Sequence, residues 1–257
     1  MQQILYEVHN RIGFITLNRP EKRNALNSQM VEALKASIKG AIKDESCKVI
    51  ILKANGKAFC AGADLEYLQQ LQKNTFGENV ADSQSLKDLF LMIHQSPKVI
   101  IAQIQGHALA GGCGLAAVCD FSFSVPDAKF SYTEVKIGFI PALVMVFLVR
   151  KIGEGKSREL LLSGDILEAA DAAHLGLISK VIDTDKIEAH CLDFATQLVE
   201  KSSAQSMAKV KEMMIEIQNL TLADGLDYAA KQNAIARESA DCKKGITNFL
   251  NKTEFTW

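Results

Sequence analysis

Two glycine-centred stretches constrain this chain more than anything else in it: Phe59-Cys60-Ala61-Gly62-Ala63-Asp64 and Gly106-His107-Ala108-Leu109-Ala110-Gly111-Gly112-Cys113-Gly114. Each follows a β-branched apolar run that reads as a buried strand, and each leads into a segment with helical spacing. Small residues at a strand-to-helix corner leave backbone N–H groups uncovered, and the start of the following helix adds partial positive charge. Two such corners facing each other would form a two-donor pocket for a developing oxyanion. Taken singly, each corner serves tight strand–helix packing equally well.

The chain is long enough to surround such a pocket with a large core. It has 257 residues, 48% hydrophobic and 23% charged, which excludes disorder as the main state. A net charge of −1 offers no field for nucleic acid or an anionic membrane. The longest apolar candidate for a span, residues 137–149, is short and interrupted by Gly138 and Pro141. Residues 1–10 lack the basic start and apolar run of an export signal. The six cysteines form no CxxC pair, so they are expected to be reduced thiols in a cytoplasmic protein. The five histidines show no HExxH spacing, and no metal is expected.

Along the chain, residues 4–17 read as a hairpin turning at Asn10-Arg11, and Pro20 stops its second strand. Ser28 opens an amphipathic helix with Met30, Leu34, Ile38 and Ile42 on one face. Residues 49–52, 99–102 and 121–125 read as strands, and residues 83–95 as a helix. From residue 144 onward helices dominate, with segments over 185–200, 203–218 and 221–239. Strand–helix alternation first and helices last predicts an α/β core with a helical C-terminal layer.

With the corners placed, the chain resembles the crotonase (enoyl-CoA hydratase/isomerase) superfamily. The resemblance rests on six segments in order. They are Asn18-Arg19-Pro20-Glu21-Lys22-Arg23-Asn24-Ala25-Leu26-Asn27, the Cys60-to-Asp64 corner, the Gly106-to-Asp120 stretch, Glu134-Val-Lys-Ile-Gly138, Leu162-Ser-Gly-Asp165 and Ala172-Ala-His-Leu-Gly-Leu-Ile178. It implies a spiral of repeated strand–strand–helix turns over residues 1–197, carrying the acyl-CoA site. It also implies a helical region over residues 198–257 that packs trimers or hexamers. No cofactor is implied beyond coenzyme A as part of the substrate.

The resemblance places two oxyanion donors on the N–H groups of Ala63 and Gly111, and the acid/base on Glu134. The largely apolar neighbours of Glu134 would raise its pKa toward neutral; the competing reading is a solvated carboxylate paired with Lys129 or Lys136. Further implied ligand contacts are Lys22, Ala25, Ala61, Asp64 and Leu65 toward the CoA, and Gly114 and Pro141 at the acyl end. Phe249 and Lys252 would reach the nucleotide bound by a neighbouring subunit. Where typical hydratases of the superfamily carry a second glutamate, this chain has Gly114. That puts simple hydration in doubt and leaves an enoyl-CoA hydratase or isomerase in which Glu134 moves the proton, with hydration by a water activated by Glu134 alone, decarboxylation of a branched acyl thioester, or a non-catalytic oligomeric acyl-CoA binder as the rival readings. On sequence alone, a glutamate introduced at 114 is expected to raise hydration. The bulky run Ala142-Leu143-Val144-Met145-Val146-Phe147 is expected to narrow the acyl pocket or to be ordinary core.

Overall fold

The computed structural model describes residues 2–257; Met1, the first residue of the expected core segment, lies outside them. Strands β1 (Ile4–His9) and β2 (Ile12–Leu17) form an antiparallel hairpin. Asn10 and Arg11 both take positive φ, 50° and 66°, the tight-turn geometry whose twist matches the flanking strands. Helix α1 (Ser28–Lys43) begins where the Asn27 side chain accepts the Met30 N–H, and it buries Met30, Leu34 and Ile38.

The chain then repeats one pattern three times: a strand in one sheet, a short strand in a second sheet, and a helical return. The first turn supplies β3 (Val49–Ala54), β4 (Ala58–Cys60), α2 (Leu65–Leu71) and α3 (Phe76–His94). The second supplies β5 (Val99–Ile104), β6 (His107–Leu109) and α4 (Gly111–Ala117). The third supplies β7 (Phe121–Ser124), β8 (Lys129–Ser131) and α5 (Ala142–Ile152). After α6 (Glu154–Ser163) come β9 (Leu167–Glu168), α7 (Ala169–His174) and β10 (Lys180–Val181). Helices α8 (Ile187–Lys201), α9 (Ala204–Glu216), α10 (Leu222–Glu238) and α11 (Ala240–Asn251) complete the chain.

The larger sheet has the order β1-β2-β3-β5-β7-β10 and is parallel from β2 onward. Its middle strands read as unbroken apolar runs because both faces are covered; residues 49–52 are all buried, with α8 packed over β3 and β5. The smaller sheet has the order β4-β6-β8-β9, with β6 parallel to both β4 and β8. Successive turns of the spiral therefore lay β4, β6 and β8 side by side.

Helix α3 starts at Phe76 rather than near residue 83 because Thr75 and Glu78 form a capping box, which satisfies the first free N–H groups. Helix α8 is fastened to the larger sheet, burying Ile187, Cys191, Ala195 and Val199. By contrast α9, α10 and α11 bury none of their residues fully. Among the described residues, no helix is long and apolar enough to cross a membrane.

Candidate active site

Three segments leave the ends of the three adjacent strands β4, β6 and β8. The first is the corner after Cys60, the second the corner after Leu109, and the third the turn after Ser131 that carries Glu134. Parallel strands deliver their following loops to one edge, where ligand-binding groups of α/β folds collect.

The first corner bends at Gly62, whose φ of +90° is open to glycine at little cost. It is braced by the loop of residues 18–27. The Leu26 N–H donates to Gly62 O at 2.6 Å, and the Asp64 N–H donates to Leu26 O at 2.8 Å. These two bonds make a parallel bridge centred on Ala63. Since groups alternate along an extended segment, the Ala63 N–H points away from Leu26, and it donates to no group of the protein among the described residues. Asn24 is fully buried beneath the corner and donates to the carbonyls of Asn55 and Ala58, both at 2.9 Å.

The second corner is pressed directly on the first. A Cβ at Gly112 would lie 2.2 Å from Cys60 O, and one at Gly62 would lie 2.8 Å from Ala110 Cβ and 3.7 Å from Gly111 N. Ala110 adopts φ 50° and ψ −124°, a region that costs a non-glycine residue about 1–3 kcal/mol. That unusual peptide sets the direction of the Gly111 N–H, which opens α4 and has no partner in the protein among the described residues. Helix α4 has only seven residues, so the oriented amide itself, more than a long macrodipole, is what this corner offers. The Ala110 N–H donates to Ser131 O at 2.7 Å and ties the second corner to the third segment.

Glu134 sits in a 3₁₀ turn, Thr133–Ile137, closed by Gly138 at φ 75°. Its backbone oxygen accepts the Phe139 N–H at 3.0 Å, and Ser131 Oγ donates to Gly164 O at 3.1 Å beneath it. The carboxylate is half-buried, its Oε2 is sealed from solvent without a hydrogen-bond partner, and burial pushes its pKa up. Neither lysine considered as a surface partner serves as one: Lys129 pairs with Glu168 at 3.1 Å and Lys136 with Asp165 at 3.3 Å. His107 Nδ1 accepts the Lys129 N–H at 3.2 Å, a structural contact.

A family model described as Enoyl-CoA hydratase/isomerase matches residues 7–257. The chain belongs to that family. It is 38% identical over 241 residues to a Thermus thermophilus protein named "Putative enoyl-CoA hydratase", covering 94% of this chain and 95% of that protein. A mitochondrial enoyl-CoA hydratase of Pongo abelii is 32% identical over 95% of this chain and 82% of its own length. The crystal structure of an enoyl-CoA hydratase from Shewanella pealeana superposes with a TM-score of 0.94 at 29% identity, covering 99% of this chain and 96% of that one. The spiral is thus a crotonase fold, and the chain is an enzyme of the enoyl-CoA hydratase/isomerase class acting on acyl-CoA.

Within this family member, the remaining expected contacts fall as follows. Ala25 is buried and Ala61 half-buried, its N–H donating to Arg23 O at 3.1 Å. Lys22 forms an ion pair with Glu66 at 2.6 Å, which raises its pKa. Leu65 is 78% exposed. Asp64 is buried, and its carboxylate meets Arg19 at 2.5 Å and accepts the Glu66 and Tyr67 N–H groups. Burial works to raise the Asp64 pKa, but the guanidinium and the two amides overcome it and hold the carboxyl below the usual range. Asp64 and Arg19, a residue without an expected role, therefore brace the corner and cap α2. Phe249 lies exposed on α11 and Lys252 caps that helix; within one chain α11 packs on α10.

Gly114 faces a side chain of α5. Expected at the acyl end, it is buried under α5: a Cβ there would lie 2.1 Å from Val144 Cγ1. Val144 is 5% exposed and belongs to the bulky run after Pro141, itself buried as the N-cap of α5. The place of a second acid is thus filled by a hydrocarbon wall. Phe147 is half-buried against the core, edge-on to Phe90 and His94, whereas Met145 is 43% exposed.

Proposed function

We propose that the Ala63 and Gly111 N–H groups hold the carbonyl oxygen of an acyl-CoA thioester while Glu134 moves a proton on the acyl chain. The observation that carries this reading is two unpartnered amides on touching corners, beside a carboxylate whose burial favours the protonated form. Donors fixed before reaction stabilise the enolate oxygen more than the substrate carbonyl, and one such donor is worth about 3–4 kcal/mol. Glu134 takes a proton from one carbon of the enoyl chain, and the resulting enolate takes it back at another, shifting the double bond. With Val144 packed on Gly114, a nucleophilic water has no second carboxylate from that helix to hold it. Isomerisation is accordingly favoured over hydration.

Lys22 is placed to exchange Glu66 for a CoA phosphate, with Ala25, Ala61 and Leu65 contributing backbone and apolar contacts. Pro141 and α5 bound the acyl end. Residues 1–197 carry this site, and residues 198–257 assemble the subunits. The apolar groups left exposed on that region, among them Leu222, Leu226, Phe249 and Leu250 at 62–82% exposure, fit a trimer or a pair of trimers. In such an assembly Phe249 and Lys252 serve a neighbour's nucleotide. The reduced thiols fit a cytoplasmic setting.

Mass spectrometry of a panel of 2-enoyl-, 3-enoyl- and branched carboxyacyl-CoA thioesters tests the reading. Conversion of a 3-enoyl thioester to its 2-enoyl isomer, lost in Glu134→Gln, is expected. Loss of CO2 from a branched substrate would point instead to decarboxylation, and CoA binding with no product anywhere in the panel to a binder.

A further inference from the structure

The Arg19 guanidinium stands two peptide units away from the Ala63 N–H, and the proposed chemistry does not use it. One nitrogen of its fork, Nη1, carries two hydrogens and two contacts: the Asp64 carboxylate at 2.5 Å and Ala25 O at 3.1 Å. The Ala25 C=O and the Leu26 N–H belong to one planar peptide unit, and that N–H donates to Gly62 O at 2.6 Å. The Gly62 C=O and the Ala63 N–H belong to a second such unit. In a trans peptide unit the C=O and the N–H point in opposite directions, so whatever holds the oxygen also aims the amide. A relay therefore runs from the guanidinium to Ala25 O, across one plane to the Leu26 N–H, and across the second plane to the Ala63 N–H.

We infer that Arg19 is a positioning residue, which aims the Ala63 donor at the thioester oxygen through these two peptide units. It touches no reacting atom and acts only through the backbone. The inference rests on the proposed role of Ala63 and adds what sets the direction of that amide. The backbone alone does not set it. Gly62, at φ +90°, is the residue type with the least torsional restraint, so the Gly62–Ala63 plane needs an external hold. The loop that supplies the hold passes through left-handed backbone at Arg23 and Asn24, φ 51° and 53°, and is itself kept in place by contacts instead of by regular secondary structure.

Two ion pairs join this loop to the corner and to α2, and they differ in kind. The Arg19 and Asp64 side chains are 12% and 5% exposed, against 42% and 71% for Lys22 and Glu66. A desolvated, fully hydrogen-bonded pair resists rearrangement, whereas a solvated one exchanges partners at little cost. The other Asp64 oxygen accepts the Glu66 and Tyr67 N–H groups at 2.8 and 3.3 Å, which anchors the pair on α2. When Lys22 leaves Glu66 for a CoA phosphate, the Arg19 contacts keep the loop in register on the corner.

The test reads the substrate carbonyl itself. Isotope-edited infrared spectra of a saturated acyl-CoA, labelled with carbon-13 at the thioester carbonyl, report its stretching frequency on the enzyme. In the parent the frequency is expected to fall below its value in water, because two fixed donors polarise the bond. Arg19→Met strands the buried Asp64 charge, so Arg19→Met with Asp64→Asn is measured beside it; the asparagine oxygen still accepts the α2 amides. In both variants the shift should shrink toward what Gly111 alone provides. On the best thioester of the panel kcat should fall about 10–100-fold, with KM changed far less. A full shift with parent-like kcat would overturn the inference, as would a raised KM at unchanged kcat, which would make Arg19 a shaper of the CoA loop alone. No shift in the parent would instead remove the donor reading on which the inference rests. A crystal structure of the parent with the same acyl-CoA gives a check independent of variant folding: Arg19 should remain on Ala25 O with the Ala63 N–H on the thioester oxygen. Arg19 turned away from Ala25 O in that complex, with the Ala63 contact intact, would refute the relay.

Discussion

The contact between Gly114 and Val144 yields the most quantitative prediction. Adding a methyl at Gly114 places it 2.1 Å from Val144 Cγ1, 3.0 Å from Val144 Cβ and 3.4 Å from Phe90 Cζ. Carbon atoms rest at about 3.5–4.0 Å, so α4 and α5 would have to part by roughly 1.5 Å. Val144 cannot easily turn aside, since a β-branched side chain in a helix has one strongly preferred rotamer. Overpacking of this kind costs up to about 3 kcal/mol, and the better helix propensity of alanine returns about 1. Gly114→Ala is therefore expected to destabilise by about 2 kcal/mol. Val144→Ala removes two buried methyl groups and should also cost about 2 kcal/mol. In the double variant the new methyl occupies the space vacated, so the pair should cost about 1 kcal/mol where independent effects would total about 4. Urea unfolding of the four proteins, read as midpoint shifts at constant slope, measures this coupling. A Gly114→Ala protein as stable as the parent, or a double variant whose cost equals the sum, would refute the packing argument. The same geometry reverses the expectation that Gly114→Glu alone would raise hydration: the single variant should gain none, and Gly114→Glu with Val144→Ala should. Equal hydration by the single and double variants would show that the wall does not control the reaction.

Three other outcomes follow from the site. Gly62→Ala must strain a φ of +90° and push on Ala110, so kcat should fall roughly 10²–10³-fold through a displaced donor; steady-state rates equal to the parent's would count against Ala63 as a donor. Glu134→Gln should lower turnover about 10²–10⁴-fold and at the same time stabilise the fold at neutral pH. The sign follows from burial raising this carboxyl in the folded state: its contribution is favourable below the unfolded carboxyl range and is lost as pH rises through the raised value. The stability gap should thus be present at pH 8 and close toward pH 4, and urea titrations that show no gap at pH 8 would exclude a desolvated Glu134. Finally, the parent should sediment as about three or six times its 28.1 kDa chain, and Leu222→Lys with Leu226→Lys should reduce that mass; a monomeric parent would leave the apolar face of α10 without a partner in the assembly proposed.

What the sequence made legible was whatever a few neighbouring residues decide. Asn10-Arg11 turns the hairpin, Ser28 opens α1, and the runs at 49–52 and 99–102 are buried strands because nothing in them suits water. The two glycine corners were legible for the same reason, since Gly62 and the Gly111-Gly112 pair are demanded by local backbone and close approach. Strands β4, β6 and β8 were not, because three residues carry no measurable alternation. The Thr75–Glu78 capping box lay outside the periodic stretch and moved the start of α3 by seven residues. Val144 carried no local signal at all. Its role exists only because residue 114, thirty positions earlier, lacks a side chain, and such complementarity is a property of the packed pair.

The short strands nonetheless decide whether the legible corners can work together. Ala58 pairs with His107 but Cys60 pairs with Ala108, so two steps along β4 match one step along β6. This bulge advances the first corner by one residue relative to the second. Counting three residues beyond the Cys60–Ala108 pair brings Ala63 level with Gly111; without the bulge, Cys60 would oppose Leu109 and Ala63 would fall level with Gly112. The Gly112 Cα faces Cys60 O, against which a Cβ would stand only 2.2 Å away, so that register would set Ala63 beside a packing contact instead of a free amide. Bulges are found next to active sites because they re-aim groups without changing the sheet around them. Here the re-aimed group is a backbone N–H, which no side-chain pattern reports, and in the site proposed the amide pair would owe its alignment to a one-residue slip in a strand too short to be seen in the sequence.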